Sequence, residues 1–159
     1  MRITDGGIGD AAAADRLRFL GTVLSAAMLV GGAAGALDVA RSYALEREQF
    51  GVPIGSFQAI KHKFADMAIM LERARATGYF AALTIAEDDE RATISTSMAK
   101  AAAGDAAQRL AKEGIQLHGG IGYTWEHDMH LYVRRLQSST NLFGGPSIHR
   151  QLVADGLGL

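Results

Sequence analysis

The residues best equipped for chemistry lie in two glycine-broken stretches, "REQFGVPIGSFQAIKH" at 47–62 and "QLHGGIGY" at 116–123. Each combines amide side chains with glycine, whose missing Cβ lets a ligand approach backbone N–H groups. The first adds Arg47, whose planar guanidinium donates two parallel hydrogen bonds and so suits a phosphate. Together the two stretches point to a phosphate-bearing ligand. The competing reading is structural, with Arg47 in a salt bridge to a neighbouring Glu and the glycines acting as helix caps.

Other constellations carry less. His118, His127 and His130 come close together with Glu126 and Asp128. His127 and His130, three apart, would share a helix face as metal ligands, but no third ligand follows at a suitable spacing. A polar helix start exposed to water is the preferred reading. "GGIGY" at 119–123 follows a helical pattern, not a strand, so it is not a dinucleotide fingerprint. "HGGIG" as an oxyanion loop lacks the serine elbow it would need, and no P-loop, HExxH or GxSxG is present.

These stretches are joints between helices. Asp10 or Asp15 is placed to cap a first helix that runs to about Glu48. Leu20, Leu24 and Met28 recur along it at four-residue spacing, followed by Val39 and Tyr43. Gly31, Gly32 and Gly35 interrupt it at about 1 kcal/mol each relative to Ala, and close approach of another backbone is the expected compensation. Ser56 is the expected N-cap of a second helix with Phe57, Ile60, Phe64, Met67 and Leu71 on one face, continuing through Ala74, Tyr79 and Leu83. The acidic run Glu87 to Glu90 reads as a solvated turn whose charge favours the N-terminus of the next helix. A third, Ala-rich helix spans about Arg91 to Leu117, with Ile94, Met98, Ala101, Ala102, Ala106 and Leu110 on its pattern. A shorter one covers about Asp128 to Ser138, and a last one starts at Pro146, where a missing N–H is harmless. No strand pattern is visible. The expected fold is all-α, an up-and-down bundle of three long helices plus two shorter C-terminal ones, over 10–159 behind a flexible lead at 1–9.

Composition bounds the function. The 159 residues suffice for one domain with a core, and a net charge of −1 gives no bulk attraction to nucleic acid or an anionic membrane. The absence of cysteine excludes disulfides, thiolate catalysis and Cys-based zinc sites, and fits a reducing compartment, with the cytoplasm the expected location. The uncharged segment 21–37 is slightly short for a membrane span and about half Gly and Ala, so a buried bundle helix is the preferred reading.

The motifs "YALEREQFGVPIGSFQ…FADM", "AK…A…A" and "QLHGGIGYTWE…R" resemble the C-terminal helical domain of the acyl-CoA dehydrogenase family, in order and spacing, from about Ala11 to the end. The resemblance implies a flavoprotein context, in which a carboxylate takes the α proton of an acyl-CoA and FAD takes the β hydride. It implies that the first joint reaches a neighbouring subunit. Arg47 and Phe50 would then contact the pyrophosphate side of the neighbour's FAD, with Gln58 at the following helix start. Gln116, Leu117, His118, Gly119 and Gly120 would serve the same FAD.

The sequence departs from the family where the base belongs. The usual Glu stands in a Glu-Gly-Thr setting before the last helix, and the matching stretch here is "NLFGGPS", with Phe143 at the Glu position and Gly145 at the Thr position. Members that place the base in the first bundle helix have it where Gly21 stands. Members with a CoA-contacting Arg nearby have it where Thr22 stands, with Arg18 one turn earlier. Phe, Gly and Thr have no usable titrating group near neutral pH. Glu126 and His149 are the nearest substitutes along the sequence. The implied protein is a non-catalytic subunit or domain that completes the FAD site of a catalytic acyl-CoA dehydrogenase chain in a homo- or hetero-oligomer. Its rivals are a fragment of a full-length dehydrogenase and a helical interaction module without a flavin role.

Overall fold

The computed structural model describes residues 11–125 and 127–159. The expected N-terminal lead, and Asp10 as a cap, lie outside them. Five α-helices follow one another: α1 (Ala11–Glu46), α2 (Gln58–Ala86), α3 (Ala92–His118), α4 (Met129–Thr140) and α5 (Pro146–Gly156). The first three run up, down and up. An Arg16–Asp88 ion pair ties the start of α1 to the α2–α3 turn, and Lys63 reaches Glu113 at 2.6 Å to tie the start of α2 to the end of α3. The C-termini of α1 and α3 therefore lie at the same end of the bundle.

Helix α3 is the centre, packed by α1, α2, α4 and α5. Its sequence explains this. Ala99, Ala103, Gly104, Ala106, Ala107 and Ala111 leave room on several sides at once, so neighbours approach closely. Leu29, Met67, Leu110, Met129 and Leu136 fill the space between helices. Each such side chain contributes about 1.5–3 kcal/mol when fully buried.

The three-helix core falls as expected, but the buried face of α1 does not. Its buried stripe is Ala26, Leu29, Ala33, Ala36, Ala40 and Ala44, while Met28 is half-buried and Leu20 and Leu24 point outward, as do Tyr79 and Leu83 on α2 and Met98 on α3. Small residues win the interior because α3 lies so near, and the leucines are left on the surface. Helix α1 is long and apolar enough to cross a membrane, with a mean hydropathy of 1.7 in its most apolar window. Its alanine stripe is taken up by the bundle core.

Three further expectations are corrected. A short antiparallel hairpin, β1 (Glu48–Gln49) and β2 (Val52–Pro53), occupies the first joint, pairing Glu48 with Pro53 and Gln49 with Val52. Two residues are too few to show an alternating pattern. Ser56 is not the cap of α2. It lies in a 3-10 turn and its hydroxyl donates to Pro53 O, while Phe57 takes the cap position without a side-chain bond. Asp15 lies inside α1, paired with Arg18 at 3.0 Å.

The glycines of α1 admit side chains, not another backbone. A Cβ on Gly35 would sit 2.5 Å from the Tyr132 ring, and one on Gly32 would sit 3.0 Å from Leu136, both on α4, whereas Gly31 faces open space. Between Glu87 and Ala92 the chain turns as expected. Asp89 accepts from the Arg91 backbone N–H and from its guanidinium, which holds the carboxyl down at about 2.

Opposite outcomes follow for two glycines. Gly31→Ala should raise stability by up to about 1 kcal/mol, because only helix propensity changes. Gly104→Ala should lower it by about 1–3 kcal/mol, because the new Cβ would meet the rigid Pro146 ring at 2.4 Å. Urea midpoints check both, and two shifts of the same sign would contradict the packing described.

Candidate functional site

Two separate constructions carry the candidate residues. The first is the hairpin. Its loop is Phe50-Gly51, with φ of +55° and +80°. Both central residues of the tightest hairpin turns need positive φ, which Gly51 supplies freely and Phe50 does not. A bulky side chain in this region costs about 1–2 kcal/mol. Phe50 is nevertheless 93% exposed, touching Phe57 edge-on at 6.3 Å. The hairpin is fixed at its base. Ile54 N–H donates to Arg47 O at 2.8 Å, and a Cβ on Gly55 would stand 3.0 Å from Ala44 O. Arg47 is exposed. Among the described residues no carboxylate lies within ion-pair distance of it, so the salt bridge that would have made it structural is not formed.

The second joint lies at the same end. His118 stacks on Tyr43 of α1 at 4.3 Å and meets His127 at 4.2 Å. Its Nδ1 donates to Gly114 O at 2.7 Å. Of the candidate ligand residues, Arg47, Phe50, Gln58, Gln116, Gly119 and Gly120 are exposed at this end, and the side chains of Leu117 and His118 are buried. Those two can meet a ligand only through their backbone. His127 and His130 do not form a joint face: His127 packs on His118 before α4 begins, and His130 lies on Trp125.

The other construction is the loop at 141–145, and it brings together Phe143 and Gly21, the two positions where the sequence resemblance led to the expectation of a base. The Phe143 ring lies so close over Gly21 that a Cβ there would meet it at 2.4 Å. Phe143 has φ of +58°, a second bulky residue in the left-handed region. The carbonyls around it are tied down one after another. Lys100 Nζ donates to Thr140 O at 2.6 Å and Gly144 O at 2.9 Å. Ser25 Oγ donates to Leu142 O at 3.2 Å, and His149 Nε2 to Phe143 O at 2.8 Å. Gly145 then caps α5, where a Cβ would press on Asn141 Oδ1 at 2.8 Å. Sequence reasoning missed Lys100 and Ser25. The available signal was Lys100 itself, a charge in phase with Ala103 and Ala107 on a face that is otherwise alanine.

The remaining candidates take structural places. His149 is 4% exposed and spends its Nε2–H on the loop. Thr22 is buried with its hydroxyl donating to Arg18 O, and Arg18 is exposed on Asp15 and over Phe19. Glu126 lies outside the described residues.

Fold and sites together define a class: a helical-bundle domain with a rigid aromatic hairpin at one end and a tethered loop over its first helix. The chain belongs to the acyl-CoA dehydrogenase family, matching its C-terminal domain over residues 19–158. It is 44% identical over 144 residues to the acyl-CoA dehydrogenase IpdE2 of Mycobacterium tuberculosis, covering 89% of this chain and 40% of that protein. It superposes on the ChsE4-ChsE5 complex of Mycobacterium tuberculosis with a TM-score of 0.89 at 31% identity, over 95% of this chain and 41% of that one. On butyryl-CoA dehydrogenase from Megasphaera elsdenii the TM-score is 0.87 at 30% identity, over 97% and 40%. The chain thus spans about two-fifths of the length of these relatives.

Burial pushes the pKa of both His118 and His149 below the ordinary 6.5. A histidine held neutral in the fold stabilises it fully above its unfolded pKa. As pH falls below about 6.5 the unfolded chain binds protons first, and stability is lost. Glu113, lowered mainly by its bond from Lys63, adds to the loss below its ordinary 4.5. The melting temperature should therefore fall steadily from pH 7 to pH 5, and less steeply in His149→Gln, whose amide can still donate to Phe143 O. A flat profile over that range in the wild-type chain would show that neither imidazole is held neutral.

Proposed function

We propose that this chain is the helical part of a flavin-dependent acyl-CoA dehydrogenase, lending contacts to an FAD held mainly elsewhere and supplying no α-proton base of its own. The observation that carries the reading is Phe50: an aromatic that costs backbone strain, yet is 93% exposed on a hairpin tip with an edge contact to Phe57, gains little from this chain's own packing. Strain of this kind is kept where an external contact uses it. A partner surface or cofactor explains it; internal packing does not.

The donor set fits the group. The Arg47 guanidinium, without a carboxylate partner among the described residues, offers a fork to a pyrophosphate, Gln58 and Gln116 offer amides, and Gly119 and Gly120 expose backbone at the end of α3. FAD, when bound, supplies acceptance of the β hydride. This chain's part is to hold the pyrophosphate side in place and, through the bundle, to build the oligomer. Residue 143 projects against Gly21 where other members carry a carboxylate, and neither position here holds a titrating group. The base then comes from a catalytic partner chain acting on an acyl-CoA in the cytoplasm.

Gly21 and Arg47 lie 26 residues apart on one helix line, about 40 Å at 1.5 Å per residue. One compact ligand cannot touch both. This favours a hairpin that serves a neighbour's cofactor and a loop that faces this chain's own side. A second reading has its own support: because the chain spans about two-fifths of its relatives, the rest of the flavin site can belong to the same polypeptide.

The isolated chain should purify colourless and retain no FAD on desalting. In the complex with a catalytic chain, Arg47→Ala should weaken FAD retention roughly ten- to hundredfold by removing a charge-assisted contact worth about 1.5–3 kcal/mol. Arg47→Lys should recover part of that, and the melting temperature of the lone bundle should change little. Unchanged flavin content together with a destabilised bundle would make Arg47 a structural residue and end the clamp reading.

A further inference from the structure

A groove of about 310 Å³ lies between α1 and α2, and none of the candidate flavin residues lines it. Small side chains open it. Ala44 on α1 and Ala68 on α2 leave room between the helices, while Leu37 and Phe64, both half-buried against the core, make an apolar floor. Gly55 closes one end, lying so near α1 that a Cβ would stand 3.0 Å from Ala44 O. The walls are fixed in advance. The alanine stripe of α1 packs in the core, and Lys63 ties α2 to α3 through Glu113 at 2.6 Å. A preformed apolar concavity of this size suits a small ligand.

The rim carries charge of one sign only. Arg41 stands on the α1 wall and Lys61 on the α2 wall, and among the described residues no acidic side chain lines the groove. Both cations are exposed, and among the described residues neither forms an ion pair or a side-chain hydrogen bond. The net charge of the chain is −1, so this pairing of cations is local and not a general bias of the surface. Leu45, one turn from Arg41 on the same face of α1, is left 55% exposed at the mouth. Hydrocarbon below and unpartnered cations on both sides match an anion that is itself amphiphilic.

We propose that this groove binds an unbranched aliphatic carboxylate, its hydrocarbon chain on Leu37 and Phe64 and its carboxylate between Arg41 and Lys61. The guanidinium supplies a planar fork for both oxygens, and the ammonium adds a point charge. The floor is recessed, so it takes a single chain and not the face of a bilayer. The proposal does not depend on the flavin reading: a chain that lent nothing to FAD would still hold the acid here.

Calorimetric titration of octanoate into the protein should show saturable binding at one site per chain. Affinity should rise roughly two- to fourfold per methylene from butanoate to octanoate, as each buried methylene adds its transfer term. The neutral 1-octanol should bind more weakly, and the octylammonium cation more weakly still. Arg41→Gln with Lys61→Gln should bind octanoate no better than 1-octanol. Ala68→Phe, which fills the groove from an exposed helix position, should abolish binding. Leu45→Glu, which sets a carboxylate at the mouth, should weaken octanoate roughly tenfold or more. The melting temperature should change little in all three variants, because the altered side chains are exposed. Absent saturable binding at millimolar octanoate, octylammonium or 1-octanol bound as tightly as octanoate, or undiminished octanoate binding by the double variant or by Ala68→Phe would each overturn the proposal.

Discussion

One buried ammonium organises the C-terminal half of the molecule. Lys100 is fully buried in the most crowded helix, and among the described residues no carboxylate partners it. It is tolerated because α4 ends where its Nζ lies. The last carbonyls of a helix lack intrahelical partners and carry the negative end of its dipole, and Lys100 takes Thr140 O together with Gly144 O. Burial draws its pKa below the ordinary lysine value, yet hydrogen bonds to the charged form keep it useful as a donor. One side chain thus caps α4, fixes the turn into α5 and binds both to α3.

The rest of the loop depends on that tie. With Thr140 and Gly144 fixed, Ser25 and His149 can reach two of the three carbonyls between them, those of Leu142 and Phe143, and Phe143 is held in a left-handed conformation it would not choose. Its ring then falls on Gly21, a position that only glycine can occupy without displacing it. The loop is built with more bonds than a connection needs, and it holds a phenyl ring against α1. The opposite end of the bundle repeats the principle with other parts: the Lys63–Glu113–Arg109 group joins α2 to α3, the Tyr43–His118 stack joins α1 to α3, and the strained Phe50 projects from the base so formed. Each end spends rigidity on presenting one aromatic side chain.

Much of the fold could be read in the sequence. Few prolines, helical periodicity and glycine-broken joints locate the helices to within a residue or two, and Pro146 marks the start of α5 correctly. Which face of α1 is buried could not be read from periodicity, because its buried stripe is mostly alanine and its leucines are more hydrophobic than the residues that pack. The hairpin was hidden by its brevity. Arg47, Phe50, Gln116, Gly21 and Phe143 could be singled out because each lies in a motif with fixed spacing. The roles of Lys100 and Ser25 could not be read, although Lys100 lies in the quoted Ala-Lys stretch, since they arise from contacts with residues 40 and 117 positions away. Tertiary placement, not local pattern, makes a lysine in an alanine helix into a cap.

The dependence of the loop on Lys100 can be measured by native-state hydrogen exchange in Lys100→Met, which keeps the volume and removes the donor. Each of the two orphaned buried carbonyls costs about 1–3 kcal/mol, so local opening should become at least roughly thirtyfold more frequent. The predicted result is faster exchange confined to the end of α4, the 141–145 loop and the first turns of α5, with the amides of α2 and the core of α3 still protected. Exchange that stays at the wild-type rate in 141–149, or that rises equally across all five helices, would contradict the account.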